Sequence, residues 1–261
     1  MAQYILTEKT GRVGLLTFNR PDMLNALNGD MHYEIRDQIR EWNEDPSVGS
    51  IVLTGAGRAF CSGADIGSFE ASADGRTSAG RPRPSDNEWV ELTRASKPIV
   101  CAINGAAVGE GLTMALHCDL RVASENARLS FRFIRLGLTP ELASTHYLPQ
   151  LVGLGTAMEL LLTGRFVDGT EAAKIGLVNH VYPADSMLDE ATKLAQAVAD
   201  NPEPQVGHVK RMVYENYVEK DLCWVIQREN EKFSEAMASD AHREALTAFR
   251  EKRDPEFHRG S

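Results

Sequence analysis

Residues 98–119 read PIVCAINGAAVGEGLTMALHCD, and the fold turns on them. Pro98 launches an apolar run of strand length, Ile99–Ile103, that does not alternate with polar residues. Asn104 and Gly105 end it, Gly109 and Gly111 follow, and LTMALHCD continues as a helix. Continuous apolar strands lie in a sheet covered by helices. A strand that feeds a turn and then a helix is the repeating material of an α/β domain. The glycines let backbone approach a ligand closely. The N-terminus of the helix that follows presents free N–H groups and the positive end of its dipole.

The same arrangement occurs upstream, where SIVLTG (50–55) runs into TGAGRAFCSGADI (54–66). Two such turns facing one carbonyl oxygen would make an oxyanion hole. Around them the alternation continues. RVGLLTF (12–18) reads as a strand that ends at Asn19-Arg20-Pro21. NGDMHYEIRDQIREW places Met31, Ile35, Ile39 and Trp42 at helical spacing. DLRVAS and ARLSF read as two short strands. Neither glycine segment has the GxxxxGK[ST] or GxGxxG pattern, so P-loop and dinucleotide-binding readings fail.

From about residue 156 the chain reads as helical. Asp168-Gly169-Thr170-Glu171 fits a capping box that opens a helix closed by Gly176. Pro202 and Pro204 mark a break, followed by VGHVKRMVYENYV, LCWVIQRENEKFSEAM and HREALTAFREKR. We divide the chain into a core, 1–204, and a helical region, 205–261. A tail of this size cannot bury all its apolar faces alone, so Trp224, Ile226 and Phe233 are expected against the core or another subunit. Residues 71–86, ASADGRTSAGRPRPSD, carry almost no apolar residues and read as a loop. It is either a flap that brings Arg76, Arg81 and Arg83 near a phosphate or a solvated insertion. No internal repeat is visible.

Of 261 residues, 43% are hydrophobic and 25% charged, the balance of a folded chain. Lys plus Arg number 28 and Asp plus Glu 37, a formal charge of -9. That sign excludes a general nucleic-acid binder. Cys61, Cys101, Cys118 and Cys223 have neither metal-ligand nor redox spacing. The first ten residues lack the pattern of a signal peptide, and no apolar run approaches the ~18 residues of a membrane span. A cytoplasmic protein with reduced thiols and no membrane partner is expected.

The ordered motifs resemble the crotonase superfamily of enoyl-CoA hydratases and isomerases. They are Asn19-Arg20-Pro21 with Leu24-Asn25-Ala26-Leu27, FCSGADI, KPIVCAINGAAVGEG, CDLRVAS and LLTGRFVDGTEAAKIGLVNHV. The resemblance covers residues 4 to 257. It implies a spiral of ββα units followed by a helical trimerisation region, assembled as a trimer or a dimer of trimers. It also implies an acyl-CoA thioester as ligand, with no metal and no cofactor beyond the substrate's own coenzyme A. The oxyanion hole falls on the N–H groups of Ala64 and Glu110, the latter usually a glycine in the family. Phe60, Ser62, Ala64, Asp65 and Ile66 would line the adenine and pantetheine end. The backbone at Leu24 and Ala26 would hold the pantetheine and phosphates. Phe249 and Lys252 resemble residues lent by a neighbouring subunit.

The two positions that carry glutamates in family hydratases hold Thr113 and Phe133, which leaves them as lining residues. Eight residues past Phe133, Glu141 follows Pro140 at an expected helix start. It matches the single catalytic glutamate of the family's Δ3,Δ2-enoyl-CoA isomerases. The resemblance therefore implies an isomerase with one proton shuttle. Three readings stay open: a hydratase using Glu141 with Glu110 or His146, a CoA-thioester hydrolase, and a binder without catalysis. Glu110 is expected to contribute chiefly its N–H, although it shares a helix face with Thr113. His117 and Asp119 are expected to end the helix and pack subunits.

Overall fold

The computed structural model describes residues 3–65, 67 and 81–258. A hairpin of β1 (Ile5–Thr10) and β2 (Val13–Phe18) opens the chain. Helix α1 (Gly29–Glu44) starts where the Asn28 side chain accepts from Met31 N at 2.9 Å, and it buries Met31, Ile35, Ile39 and Trp42 as their spacing predicts. It returns the chain to β3 (Ser50–Gly55), parallel to β2. The short β4 (Ala59–Cys61) follows, and then α2 (Asp86–Ala95). Next come β5 (Ile99–Ile103), β6 (Ala106–Val108) and α3 (Glu110–Ala115). After them lie β7 (Leu120–Ser124), β8 (Arg128–Ser130), and a 3-10 turn over Arg132–Leu136.

Two sheets result. One has the order β1-β2-β3-β5-β7-β10 and the other β4-β6-β8-β9, with β9 (Val167–Asp168) and β10 (His180–Tyr182) supplied later in the chain. Each of β3, β5 and β7 passes from the large sheet directly to a short strand of the small one. The α/β class and the ββα repeat are therefore present, although the repeat lies in the backbone and not in the sequence. Every residue of β3 and β5 is buried, as expected of fully covered strands. One face of the large sheet packs on α1 and the small sheet. The other packs Val13, Val52, Val100 and Val122 on Met187, Ala191 and Ala195 of α7 (Met187–Ala199).

The region after 156 is less uniformly helical than its sequence reads. Helix α4 (Ser144–Val152) runs through Gly153 into α5 (Leu154–Thr163), β9 separates α5 from α6 (Gly169–Lys174), and β10 follows. Strands of two and three residues leave no periodicity to detect. The N-cap half of the capping box holds, since Asp168 accepts from Glu171 N at 2.7 Å, while the Glu171 carboxylate pairs with Arg165 Nη2 at 2.7 Å. Pro204 lies inside the first turn of α8 (Glu203–Val218), where no intrahelical N–H is lost. Helices α9 (Leu222–Met237) and α10 (Asp240–Glu251) complete the chain. Lys210 Nζ on α8 meets Asp119 Oδ2 at 2.7 Å and so ties this region to the core. Trp224, Ile226 and Phe233 are 57%, 55% and 67% exposed, so the chain's own core does not cover them. No helix among the described residues is long and apolar enough to cross a membrane.

Candidate active site

The two glycine segments lie against each other. Gly111 is packed so tightly that a Cβ there would meet Cys61 O at 2.5 Å and Cys61 Sγ at 2.8 Å. A Cβ on Gly63, whose φ is +99°, would lie 2.8 Å from Val108 O and 3.5 Å from Glu110 N. Leu27 N donates to Gly63 O at 2.8 Å, and Asp65 N donates to Leu27 O at 2.9 Å. In that parallel bridge the N–H of Ala64, between them, points away from Leu27. Leu112 N and Thr113 N both donate to Gly109 O at 3.0 Å. Glu110 opens the helix, so its own N–H has no intrahelical acceptor. The expected pair of N–H groups is thus brought to one place. Phe133 borders it, with Cζ 3.9 Å from where a Cβ on Gly109 would stand.

Glu141 stands at the edge of the same place. It lies three residues ahead of α4 and not at its start. Leu142 and Ala143 both have left-handed backbones, φ +53° and +50°. His117 Nε2 holds Leu142 O at 2.6 Å, so a residue read as a helix terminator anchors the carboxylate's segment. Thr113 Oγ1 is 2.5 Å from Glu141 Oε1 and 3.1 Å from Glu110 O. One hydroxyl proton can serve either acceptor. It donates to an ionised Glu141, and it can turn to the carbonyl when Glu141 is protonated and itself donates. Burial, with the nearby Glu110 charge adding to it and Thr113 and Arg83 opposing, pushes the Glu141 carboxyl up to about 7.

Glu110 contributes more than its N–H. Its side chain is 4% exposed, and its carboxylate faces the same cluster. Arg83 Nη2 lies 2.8 Å from Glu141 Oε2, 3.1 Å from Glu110 Oε1 and 2.6 Å from Asp86 Oδ1. Burial alone would raise the Glu110 carboxyl, but His32, Arg83 and Arg36 outweigh it and hold it below the usual range. Two carboxylates with proton affinities driven apart are the pattern of an acid–base site. The Arg83 reading changes accordingly, because its guanidinium neutralises carboxylates. Arg81 stacks 3.6 Å over Tyr33, and Arg76 lies outside the described residues.

The other expected residues divide. Asn25 stabilises the turn carrying Leu24 and Ala26, because its Oδ1 accepts from Arg20 N at 2.8 Å and its Nδ2 donates to Ala59 O at 2.7 Å. Ser62 N donates to Leu24 O at 3.0 Å, and Asp65 pairs with Arg20 at 2.9 Å. The Phe60 side chain does not line the site, since its ring packs 5.1 Å from Phe18 in the core. Ile66 lies outside the described residues. Phe249 is 83% exposed on α10, and Lys252 ends that helix with φ +56°. His146 bonds Gln150 at 2.8 Å and faces a cavity of about 710 Å³ beneath α8, so it is not the partner of Glu141. Burial drives the Cys61 thiol up to about 12, which keeps it neutral.

The model of the enoyl-CoA hydratase/isomerase family matches residues 8–260. The chain belongs to that family, within the crotonase superfamily. It is 39% identical over 256 residues to a Dictyostelium discoideum protein named "Probable enoyl-CoA hydratase, mitochondrial", covering 97% of this chain and 90% of that one. It is 34% identical to the short-chain-enoyl-CoA hydratase of Clostridium acetobutylicum, covering 95% of each. Among solved structures, Pseudomonas aeruginosa DspI superposes with a TM-score of 0.87 at 30% identity, covering 98% of this chain and 97% of that one. The chain is therefore a crotonase-family enzyme with the crotonase fold.

Proposed function

We propose that this enzyme is an enoyl-CoA isomerase in which Glu141 is the proton shuttle. The observation that carries the reading is one carboxylate, brought to about 7, on a hydroxyl that can bond it in either protonation state. A general acid–base group works best when its pKa lies near the operating pH. The ionised Glu141 removes a proton from C2 of a 3-enoyl-CoA. The electron pair moves onto the thioester oxygen, which the Ala64 and Glu110 N–H groups receive as the enolate. The protonated Glu141 then delivers the proton to C4, and the double bond comes to rest between C2 and C3. Leu24, Ala26, Ser62 and Asp65 stand on the side proposed for the coenzyme A. Phe249 and Lys252 of a neighbouring copy would complete it. The apolar residues of α9 left uncovered in one chain support assembly, and a monomer mass in light scattering would exclude it.

The test is to incubate the enzyme with 3-enoyl-CoA and 2-enoyl-CoA and identify products by mass and retention time. Glu141→Gln should lower isomerisation by a factor on the order of 10²–10⁴, with little change in acyl-CoA affinity. A second reading, hydration by Glu141 with Glu110, is favoured by their common contact with Arg83. A product of 2-enoyl-CoA heavier by one water, lost in Glu110→Gln, would establish it in place of the first.

A further inference from the structure

Beside Glu110 lie two buried groups that the proton shuttle does not use. His32 and Arg36 are four residues apart on α1 and each only 2% exposed. Arg36 Nη1 lies 3.0 Å from His32 Nδ1 and 3.1 Å from His32 O. A guanidinium only donates, so Nδ1 is the accepting nitrogen and the ring proton is on Nε2. That nitrogen is 3.1 Å from Glu110 Oε1. The Trp89 ring, 5.5 Å from the Arg36 guanidinium, closes the far side. A carboxylate taken from water needs such partners.

From this chain of contacts we propose that His32 and Arg36 are positioning residues. They hold Glu110 as a fixed anion, and that anion, shared with Glu141 through Arg83, raises the pH at which Glu141 exchanges its proton beyond what burial alone does. The inference rests on Glu141 being the shuttle. The charged and titratable groups facing the pair are known from each side. Arg83 comes from the segment ahead of α2, Asp86 from the first turn of α2, His32 and Arg36 from α1, and the neutral Cys61 thiol from β4. Glu88 and Arg40 act on the outer end of Arg36. A like charge nearby raises a carboxyl's proton affinity, the direction in which Glu141 is displaced.

The experiment follows the carboxyl carbons of glutamate-labelled enzyme by NMR against pH, with Glu141→Gln assigning the Glu141 signal. His32→Leu should lower the Glu141 midpoint by about one unit or more, because Glu110 then takes up a proton and Arg83 turns fully to Glu141. His32→Gln keeps an amide donor near the place of Nε2 and should restore most of the shift. Stripping a buried carboxylate of its donor threatens folding, so His32→Leu combined with Glu110→Gln is measured too. This double variant should fold and show the same lowered midpoint. The acidic limb of kcat/KM, where protonation of Glu141 removes the base, should move to lower pH with it. An unmoved midpoint in the double variant, or activity lost equally at all pH values, would reduce both residues to structural support and overturn the proposal. Should Glu141→Gln leave isomerisation intact, the shuttle reading fails, yet the titration still judges the coupling.

Discussion

The turn that opens α3 is fixed by packing, with Gly111 pressed on Cys61 and Gly63 on Val108. The turn that carries Glu141 is instead held in two consecutive left-handed residues, with His117 bonded to Leu142 O. The first leaves no room for a side chain at either glycine, and it presents what must stay constant, an N–H group and a buried anion. The second stores backbone strain of the kind found at functional sites, and it presents the group whose state must change. The two carboxylates differ in the same sense. Glu110 is held ionised, while Glu141 is poised near neutrality.

The largest test of that contrast is stability against pH. A carboxyl raised on folding binds its proton more tightly in the native state. Its native form is then favoured in acid, and stability is lost as pH rises from the ordinary carboxyl range towards about 7. Glu141→Gln should therefore stabilise the protein at pH 8, by on the order of 3 kcal/mol at about 1.4 kcal/mol per unit. The gain should vanish towards pH 4. Glu110 has the opposite sign, because its depressed carboxyl stabilises above the ordinary range and loses that as pH falls. Glu110→Gln should therefore destabilise at pH 8. Thermal melts of both variants across pH check the pair, and equal slopes would erase the distinction.

These two segments were unequally legible. The α3 turn is local, and strand, glycines and helix stand side by side in residues 98–119. Glu141 was found through its family position, since nothing in LGLTPELAS announces two left-handed residues. The charged surroundings were missed because they are long-range, His32 meeting Glu110 across 78 positions. A signal existed, for His32 and Arg36 sit beside Met31 and Ile35 on the buried stripe of α1. Polar residues on such a stripe need partners. Neither a phosphate flap nor a solvated insertion foresees Arg83 on two carboxylates, because composition shows a segment's polarity and not where one guanidinium lands.

A smaller effect should come from Gly111→Ala. Its Cβ would stand 2.5–2.8 Å from Cys61 atoms, and overpacking of this kind costs about 1–3 kcal/mol. The displacement would also tilt the Glu110 N–H, so kcat should fall with stability. Gly155 on α5 is the control, since it has open space within 4 Å. Gly155→Ala should stabilise by about 0.5–1 kcal/mol through helix propensity alone. If denaturant melts show both substitutions to be neutral, the α3 turn is not locked by packing.

The smallest effect is expected from Ala143→Gly, and it separates strain from packing in the Glu141 turn. Ala143 is exposed with φ +50° and ψ 22°, so its methyl buries little. A left-handed backbone costs an L-residue roughly 1–2 kcal/mol, while glycine costs about 0.5–1 kcal/mol more to order. The two nearly offset, leaving a net stabilisation of about 0.5 kcal/mol. Relief of strain should loosen the segment that aims Glu141, so kcat should drop slightly, by less than about tenfold. Leu142 shares the backbone but is 3% exposed, so Leu142→Gly should lose core packing of about 2–5 kcal/mol, the range for emptying a core leucine site. If Ala143→Gly were the more destabilising of the two, packing of Ala143 and not backbone strain would be what shapes the turn.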